Sequence, residues 1–480
     1  MVIPILPKPA WLHGREREWE ALAEFVVQPG PSRLGLVYGR RRQGKTHLLQ
    51  AMQKLVGGFY WQAVQQSGRQ NLDSLSDAWA AHVGLPAGMR FSGWPEAVAA
   101  LTSQSSEGLS VTAIDEVGYL VTAVPELPSL LQAALSPANA AEGSARIVLC
   151  GSALGQMRKL IDGPAPLRGR VQLELVIRPF GYREAATFWG LSSNPDAAFR
   201  LHAFVGGTPA YRDLAAAVPE RGDIDSWVVR RLLDQRSALF REGRIVVSED
   251  PVLLDQQLYW SVLGALADGE EHRSELAEAM DRPDTSLSHA LGVLVEAGWV
   301  QHRLDPLHAR RSSYRIADPI VRFWRLVTEA NLPRLTLHDN AALDVWQDSE
   351  ALVASRIYGP HLETLACEWL LAKGRTLGLA ANPTEVGSSE VTIAGQRHQL
   401  DLVAVRKSKK TTEILAIGEV KATSKAVGPV ELERLDKIAS KIAPDAIRVL
   451  VSRSGFTLPF RQAATLRPNV LLADLTTLYH

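Results

Sequence analysis

The residues with the clearest chemistry are Gly39-Arg40-Arg41-Arg42-Gln43-Gly44-Lys45-Thr46, which match GxxxxGK[ST] in full. Glycines there let backbone N–H groups converge on an anion at the positive end of a helix dipole. Gly39, Gln43 and Gly44 would shape that cradle. Lys45 would reach the β- and γ-phosphates of a nucleoside triphosphate, and Thr46 would offer its hydroxyl to Mg²⁺. A pair of acids, Asp115 and Glu116, closes the apolar run Leu109–Ile114. Asp115 would hold the same Mg²⁺ and Glu116 would polarise an attacking water, which points to ATP hydrolysis to ADP rather than binding alone. A third apolar run, Arg146–Cys150, ends at Gly151-Ser152, where Ser152 is placed to sense the γ-phosphate.

A second constellation lies far downstream: Glu363 in a helical stretch, Asp401 in Gln-Leu-Asp-Leu-Val, and Glu419-Val-Lys421. Period two in a strand puts Glu419 and Lys421 on one face. A neighbouring strand can bring Asp401 alongside. Asp401 and Glu419 would then supply hard oxygen ligands to Mg²⁺ or Mn²⁺, with Glu363 as an accessory acid. Lys421 would orient water for attack on a phosphodiester. The plainer reading of a Glu-x-Lys is a solvated face on an edge strand. His398 and Glu368 lie nearby in sequence and read as structural.

Elements must hold these groups. Leu34–Tyr38 reads as a buried strand running into the glycine loop, with a helix from Lys45 onward. Apolar strands alternating with helical stretches predict a doubly wound parallel sheet over residues 1–178. Ligands bind at the carboxyl ends of the strands in such sheets. Residues 179–250 turn helical and alanine-rich, broken at Gly206-Gly207-Thr208-Pro209. Residues 251–317 read as a winged helix. Thr285 would cap a recognition helix over 285–297, and Trp299–Arg303 would pair with Ser312–Ile316. Its exposed face would offer Thr285, Ser286, Ser288 and His289, with Arg303, Arg310 and Arg311 near the wing. That face can contact DNA or pack within the chain. Residues 318–480 return to α/β, with a helix over 352–371, strands over 399–405, 413–420 and 447–451, and a helix over 430–441.

Composition narrows the class. The 480 residues carry 52 basic and 52 acidic side chains, a formal charge of zero, which argues against a protein that coats nucleic acid generally. From Ala351 onward 17 Lys and Arg face 12 Asp and Glu, so a local basic face remains open. Cys150 and Cys367 alone make no disulfide framework and no zinc site of the paired-cysteine type. The proline-broken start lacks the basic n-region of a signal peptide, and no apolar run approaches a membrane span, so the expectation is a cytoplasmic protein without membrane contact.

The chain resembles the archaeal-type P-loop ATPases related to signal-transduction ATPases with numerous domains (STAND). The resemblance rests on Trp11-Leu-His-Gly14-Arg15-Glu16, Gly151-Ser-Ala, Pro166-Leu-Arg-Gly-Arg170 before Arg178-Pro-Phe, and Gly206-Gly-Thr-Pro209-Ala-Tyr. It implies that Arg15 packs near adenine and that Arg170 stabilises transition-state charge, in its own chain or across subunits of a homo-oligomer. Both also read as surface arginines in salt bridges. Arg40, Arg41 and Arg42 depart from the small residues common in such loops and read as a solvated rim. Gly359-Pro-His-Leu-Glu363 and the distal acids resemble the PD-(D/E)xK nuclease superfamily, although Leu400 stands where a proline is usual. That implies a restriction-endonuclease-like carboxyl-terminal domain acting on DNA.

Overall fold

A computed structural model describes residues 6–103, 109–140, 144–338, 340–409 and 411–480. Met1–Ile5 of the proline-broken start lie outside them. The amino-terminal sheet comprises β1 (Arg33–Tyr38), β2 (Gly58–Gln62), β3 (Val111–Asp115), β4 (Arg146–Gly151) and β5 (Val171–Val176), in the order β2-β3-β4-β1-β5. Every neighbouring pair is parallel. Successive side chains leave a strand on opposite faces. Val148 and Cys150 of β4 accordingly pack with Trp19, Leu22 and Val26 of α1 (Glu16–Val27) and Leu48 and Met52 of α2 (Lys45–Val56). Ile147 and Leu149 pack on the other side with Leu72, Leu75 and Trp79. The sheet therefore has helices on both faces, the doubly wound arrangement expected. Because β4 lies between β1 and β3, its end separates the glycine loop from the acids that close β3. A short helix, α3 (Val117–Ala123), follows those acids.

A second core runs without interruption from Tyr182 to Tyr479. It takes in α4 (Pro195–Val205) and three helices, α5 (Gln256–Asp268), α6 (Arg273–Ala279) and α7 (Asp284–Glu296). It also includes the antiparallel hairpin of β6 (Val300–Leu304) and β7 (Ser312–Ile316). Helix α7 begins at Asp284, one residue before the expected cap, with Pro283 ahead of it.

The carboxyl-terminal sheet is mixed, in the order β12-β11-β10-β9-β8. Its strands are β8 (Glu385–Ile393), β9 (Gln396–Lys407), β10 (Thr412–Lys421), β11 (Ile447–Ser452) and β12 (Val470–Asp474). Strands β8, β9 and β10 are antiparallel, whereas β10, β11 and β12 are parallel. One face packs on α8 (Gly359–Lys373) and joins the long core; the other packs on Leu432, Leu435 and Ile438 of α9 (Val430–Ile442). The helix expected over 352–371 is present without a break, though not of uniform pitch. A wider turn over 354–358 precedes α8, because Pro360 has no N–H for an i→i−4 bond and its ring crowds the carbonyl four residues back. Among the described residues no helix is long and apolar enough to cross a membrane.

Helix α4 meets α8 through His202 Nδ1 and His361 Nε2, 3.0 Å apart. Burial pushes His202 down to about 4 and His361 well below the usual imidazole value. A depressed folded value means the unfolded chain takes up protons that the folded chain refuses, so stability is complete above about pH 6.5 and is lost as pH falls toward 4. We expect a loss on the order of 1.4 kcal/mol per imidazole per pH unit in that window. Urea melts at pH 5 to 8 check this. A His202→Gln/His361→Asn variant should show a shallower fall.

Candidate nucleotide site and carboxylate notch

The glycine loop turns out of β1 where only glycine fits: a Cβ on Gly39 would stand 2.2 Å from the Ile177 carbonyl oxygen, and Gly44 adopts φ 84° at the start of α2. Lys45 is buried, and its Nζ donates to the carbonyls of Gly39 (2.7 Å) and Arg40 (2.8 Å). Burial lowers its proton affinity, and Asp115 and Glu116 partly oppose that. Asp115 Oδ2 accepts from Thr46 Oγ1 at 2.7 Å and from the Tyr60 hydroxyl at 2.8 Å. Thr46 and Asp115 thus present adjoining hard oxygens, a donor set that fits Mg²⁺. Glu116 sits in the left-handed region at φ 51°, a strained conformation for glutamate, and its Oε2 accepts from Ser152 Oγ at 2.9 Å. The strand-end serine and the second acid are therefore one unit.

Beside the loop lies a cavity of about 380 Å³ whose apolar wall is Trp11, Leu12, Phe180, Phe188 and Pro209. Arg15 lies under it, in the left-handed region at φ 65°. Its guanidinium is 4.5 Å from the Phe180 ring centre and donates to the Gln43 carbonyl at 2.9 Å. Gln43 is buried, its Oε1 near Gly39. An aromatic wall next to a phosphate cradle suits a purine nucleotide. Tyr60, Phe180 and Phe188 escape sequence reasoning; Tyr60 was detectable only through its strand, since β2 runs beside β3 with Gln62 opposite Asp115.

Two expectations are corrected. Arg170 precedes β5, and Val171 pairs with Leu34, near the start of β1. The phosphate loop leaves the other end of β1, four residues or about 13 Å away. Arg170 does not line the cavity and cannot serve this site within its own chain. At the correct edge stands the exposed Arg178, just after Ile177, whose N–H donates to the Tyr38 carbonyl. Nor do the loop arginines form a solvated rim. Arg40 is buried, lies 3.9 Å over the Trp299 ring, donates to the Gly298 carbonyl at 3.0 Å, and pairs with Asp318. Arg42 is paired with Glu242 and Glu249, and Arg41 with Glu249 and the Tyr119 hydroxyl.

In the distal sheet, Gly418 pairs with Leu402, and the next step of that antiparallel register sets Glu419 beside Asp401 on one face. The Val420 N–H donates to Asp401 Oδ2 at 2.9 Å. Lys421 Nζ lies 3.3 Å from Glu419 and 3.6 Å from Glu431. Burial, then repulsion from Asp401, pushes Glu419 up to about 7; burial also raises Asp401, with Glu363 adding to it. Glu419 Oε1 is 3.1 Å from an Arg434 nitrogen yet accepts no hydrogen bond. Two raised, adjoining carboxylates with an unsatisfied oxygen fit a hard divalent cation. Glu363, near enough to act on Asp401, has its Oε2 accepting from Arg315 of β7 at 2.7 Å. Among the described residues no group of three or more His, Cys, Asp or Glu side chains is placed to hold a metal ion. Glu368 is raised by burial alone, and His398 stands opposite Val391 in the β8–β9 register.

One end of the hairpin meets the carboxyl-terminal sheet. Arg310 and Arg311 are exposed as expected of a wing, whereas Arg303 is half-buried with its Nη1 enclosed. Ser389 Oγ donates to Asp305, and the His308 ring meets the Glu390 carbonyl. Thr285, Ser286, Ser288 and His289 are exposed as expected.

No family model and no curated protein matches the chain. Among solved structures it is similar to a Walker-type ATPase of Pyrococcus abyssi, with a TM-score of 0.50 and 20% identity over 68% of this chain and 99% of that one. It is also similar to the Aeropyrum pernix ORC2 protein in its ADPNP–ADP complexes, with a TM-score of 0.41 and 16% identity over 72% of this chain and 97% of that one. The first likeness is one of fold, and the amino-terminal sheet has the fold of a P-loop ATPase; the second is too distant to carry an argument.

Loss of a charge-assisted contact costs roughly 1.5–3 kcal/mol, so Lys45→Ala should weaken ATP binding about ten- to a hundredfold. Arg170→Ala should leave binding and turnover within about twofold. Titration calorimetry and phosphate release measure both.

Proposed function

We propose that the chain is an ATP-hydrolysing protein acting on DNA, in which the nucleotide cycle gates a metal-dependent phosphodiesterase site. Its parts are a P-loop core (1–178), a helical lid (179–250), a winged helix (251–317) and a PD-(D/E)xK nuclease-like unit (318–480). One observation carries the coupling. Arg40 of the phosphate loop holds Gly298, Trp299 and Asp318, which flank the β6–β7 hairpin on both sides, and Arg315 of that hairpin holds Glu363. A shift of the loop around a triphosphate is thereby transmitted to the accessory acid of the distal notch.

In the amino-terminal site, Lys45 and the loop amides bind the phosphates, Arg15 and Phe180 seat the base, and Glu116, steadied by Ser152, polarises water. Mg²⁺ on Thr46 and Asp115 would neutralise phosphate charge. At the notch, Mg²⁺ or Mn²⁺ on Asp401 and Glu419 would offset the charge that builds on the phosphoryl oxygens under attack. Lys421 orients the water, and Glu363 joins once Arg315 releases it.

A second reading is favoured by the same arginines. With Glu363 held by Arg315 and Glu419 by Arg434, the chain can be a nucleotide-switched regulator. The exposed hydroxyl face of α7 would then meet DNA, and the nuclease fold would be inactive. Calorimetric Mn²⁺ binding, lost in Asp401→Asn and Glu419→Gln, separates the two.

Supplied with ATP, Mg²⁺ or Mn²⁺ and DNA, the wild type should nick or cut and Lys421→Ala should not; identical behaviour of the two rejects the nuclease. Glu116→Gln should keep ATP and lose turnover by about a hundredfold or more, on the order of 3 kcal/mol of barrier. Arg315→Gln should cut without ATP while hydrolysing it normally.

A further inference from the structure

Between the β6–β7 hairpin and strands β8 and β9 lies a polar cleft of about 180 Å³, lined by Arg303, Arg315, Ser313, Ser388 and Gln399 among others. Its acids already have partners. Glu271 pairs with Arg315 at 2.5 Å. Asp305 Oδ1 accepts from Ser389 Oγ at 2.7 Å and from the N–H groups of Leu307 and His308. Glu390 faces Arg311 and Arg397 at 3.8 and 3.6 Å. Arg315 is shared between Glu271 and Glu363.

Arg303 is the exception. Its Nη1 is buried and has no hydrogen-bond partner, and it pairs with no carboxylate among the described residues. Burial and the neighbouring Arg315 both work against its charge, and Cys367, Glu363 and Glu271 offset them only in part. A guanidinium cannot shed its proton to escape this position, so the unpaired charge is a standing cost that an anion would remove. Hydroxyls and an arginine fork are the usual donors to a phosphate.

The cleft also leads to the notch. Gln399 in its wall accepts from Arg434 at 2.8 Å, and Arg434 lies 3.1 Å from Glu419. Asp401 follows Gln399 by two residues along β9, where the β8–β9 register carries an irregularity.

We propose that this cleft, whose wall Arg434 links to the carboxylate notch, seats a backbone phosphate of a DNA strand on Arg303. The inference rests on the phosphodiesterase reading but is tested without cleavage. Full-length protein in EDTA is titrated with a fluorescein-labelled duplex across a salt series, followed by anisotropy. Arg303→Gln should weaken binding at least about tenfold and lower the slope of log affinity against log salt by about one, while Arg303→Lys keeps most of that slope. Arg303→Met, which removes an unpaired buried charge, should fold at least as well as wild type and lose the same affinity. Affinity and slope unchanged in Arg303→Gln and Arg303→Met, or a wild type that does not bind the duplex, overturns the proposal. It is overturned also where inorganic phosphate raises the melting temperature through Arg303 while DNA affinity stays unchanged, since the cleft then serves a free anion. A protein that binds through Arg303 yet never cuts DNA supports this proposal and sinks only the nuclease.

Discussion

The arrangement depends on one buried guanidinium. Arg40 belongs to the phosphate loop, yet its side chain leaves the nucleotide side and enters the second core, stacked on Trp299 and bound to Gly298 and Asp318. Trp299 is fixed in turn, its indole N–H donating to Asp250 at 2.8 Å. Breaking a buried, hydrogen-bonded ion pair from one side costs roughly 3–5 kcal/mol because the remaining charge is stranded. The loop therefore cannot rearrange independently of the hairpin. Loop and hairpin move together or Asp318 is left uncompensated.

Such a latch ties the phosphate loop to the second core. That core reaches from Tyr182 to Tyr479, so the helices, the hairpin and the α8 face of the distal sheet pack together, the α9 face forming a cluster of its own. A hairpin gripped at its base by Arg40 and along its arm by Glu363 and Glu271 is a stiff connector, because cross-strand hydrogen bonds keep its arms in register. Stiffness is what transmits a displacement between sites carried on different sheets.

What was legible in the sequence follows from burial. Strands buried on both faces, such as β1, β3 and β4, are written as unbroken apolar runs, and β9, β10 and β11 nearly so. The strands that escape notice, β2, β5, β8 and β12, are the four sheet edges, and their half-exposed patterns leave no such run. Site residues were legible where chemistry dictates spacing, as at Lys45, Thr46, Asp115 and the Glu419–Lys421 pair. They were not where geometry is made by remote segments. Nothing local distinguishes Arg40 from its two neighbours, and Arg315 reads as one more hairpin arginine. Arg170 misleads for the opposite reason: its motif lies at the end of the sheet away from the nucleotide, which only the β1–β5 register reveals.

The two candidate sites share a logic that the ion pairs make explicit. In the chain without ligands, Lys45 spends its protons on the loop's own carbonyls, and Arg315 and Arg434 lie against Glu363 and Glu419. Lys45, Glu363 and Glu419 are thus each met by a partner from within, whereas Arg303 is not. The internal pairings spare those three groups the several kcal/mol that a bare buried charge costs. They also set the order of events. A ligand at Lys45, Glu363 or Glu419 displaces an internal partner, which belongs to the loop, the hairpin or α9. Under the proposed coupling, binding and rearrangement are one equilibrium, and the affinity of either site depends on the state of the other.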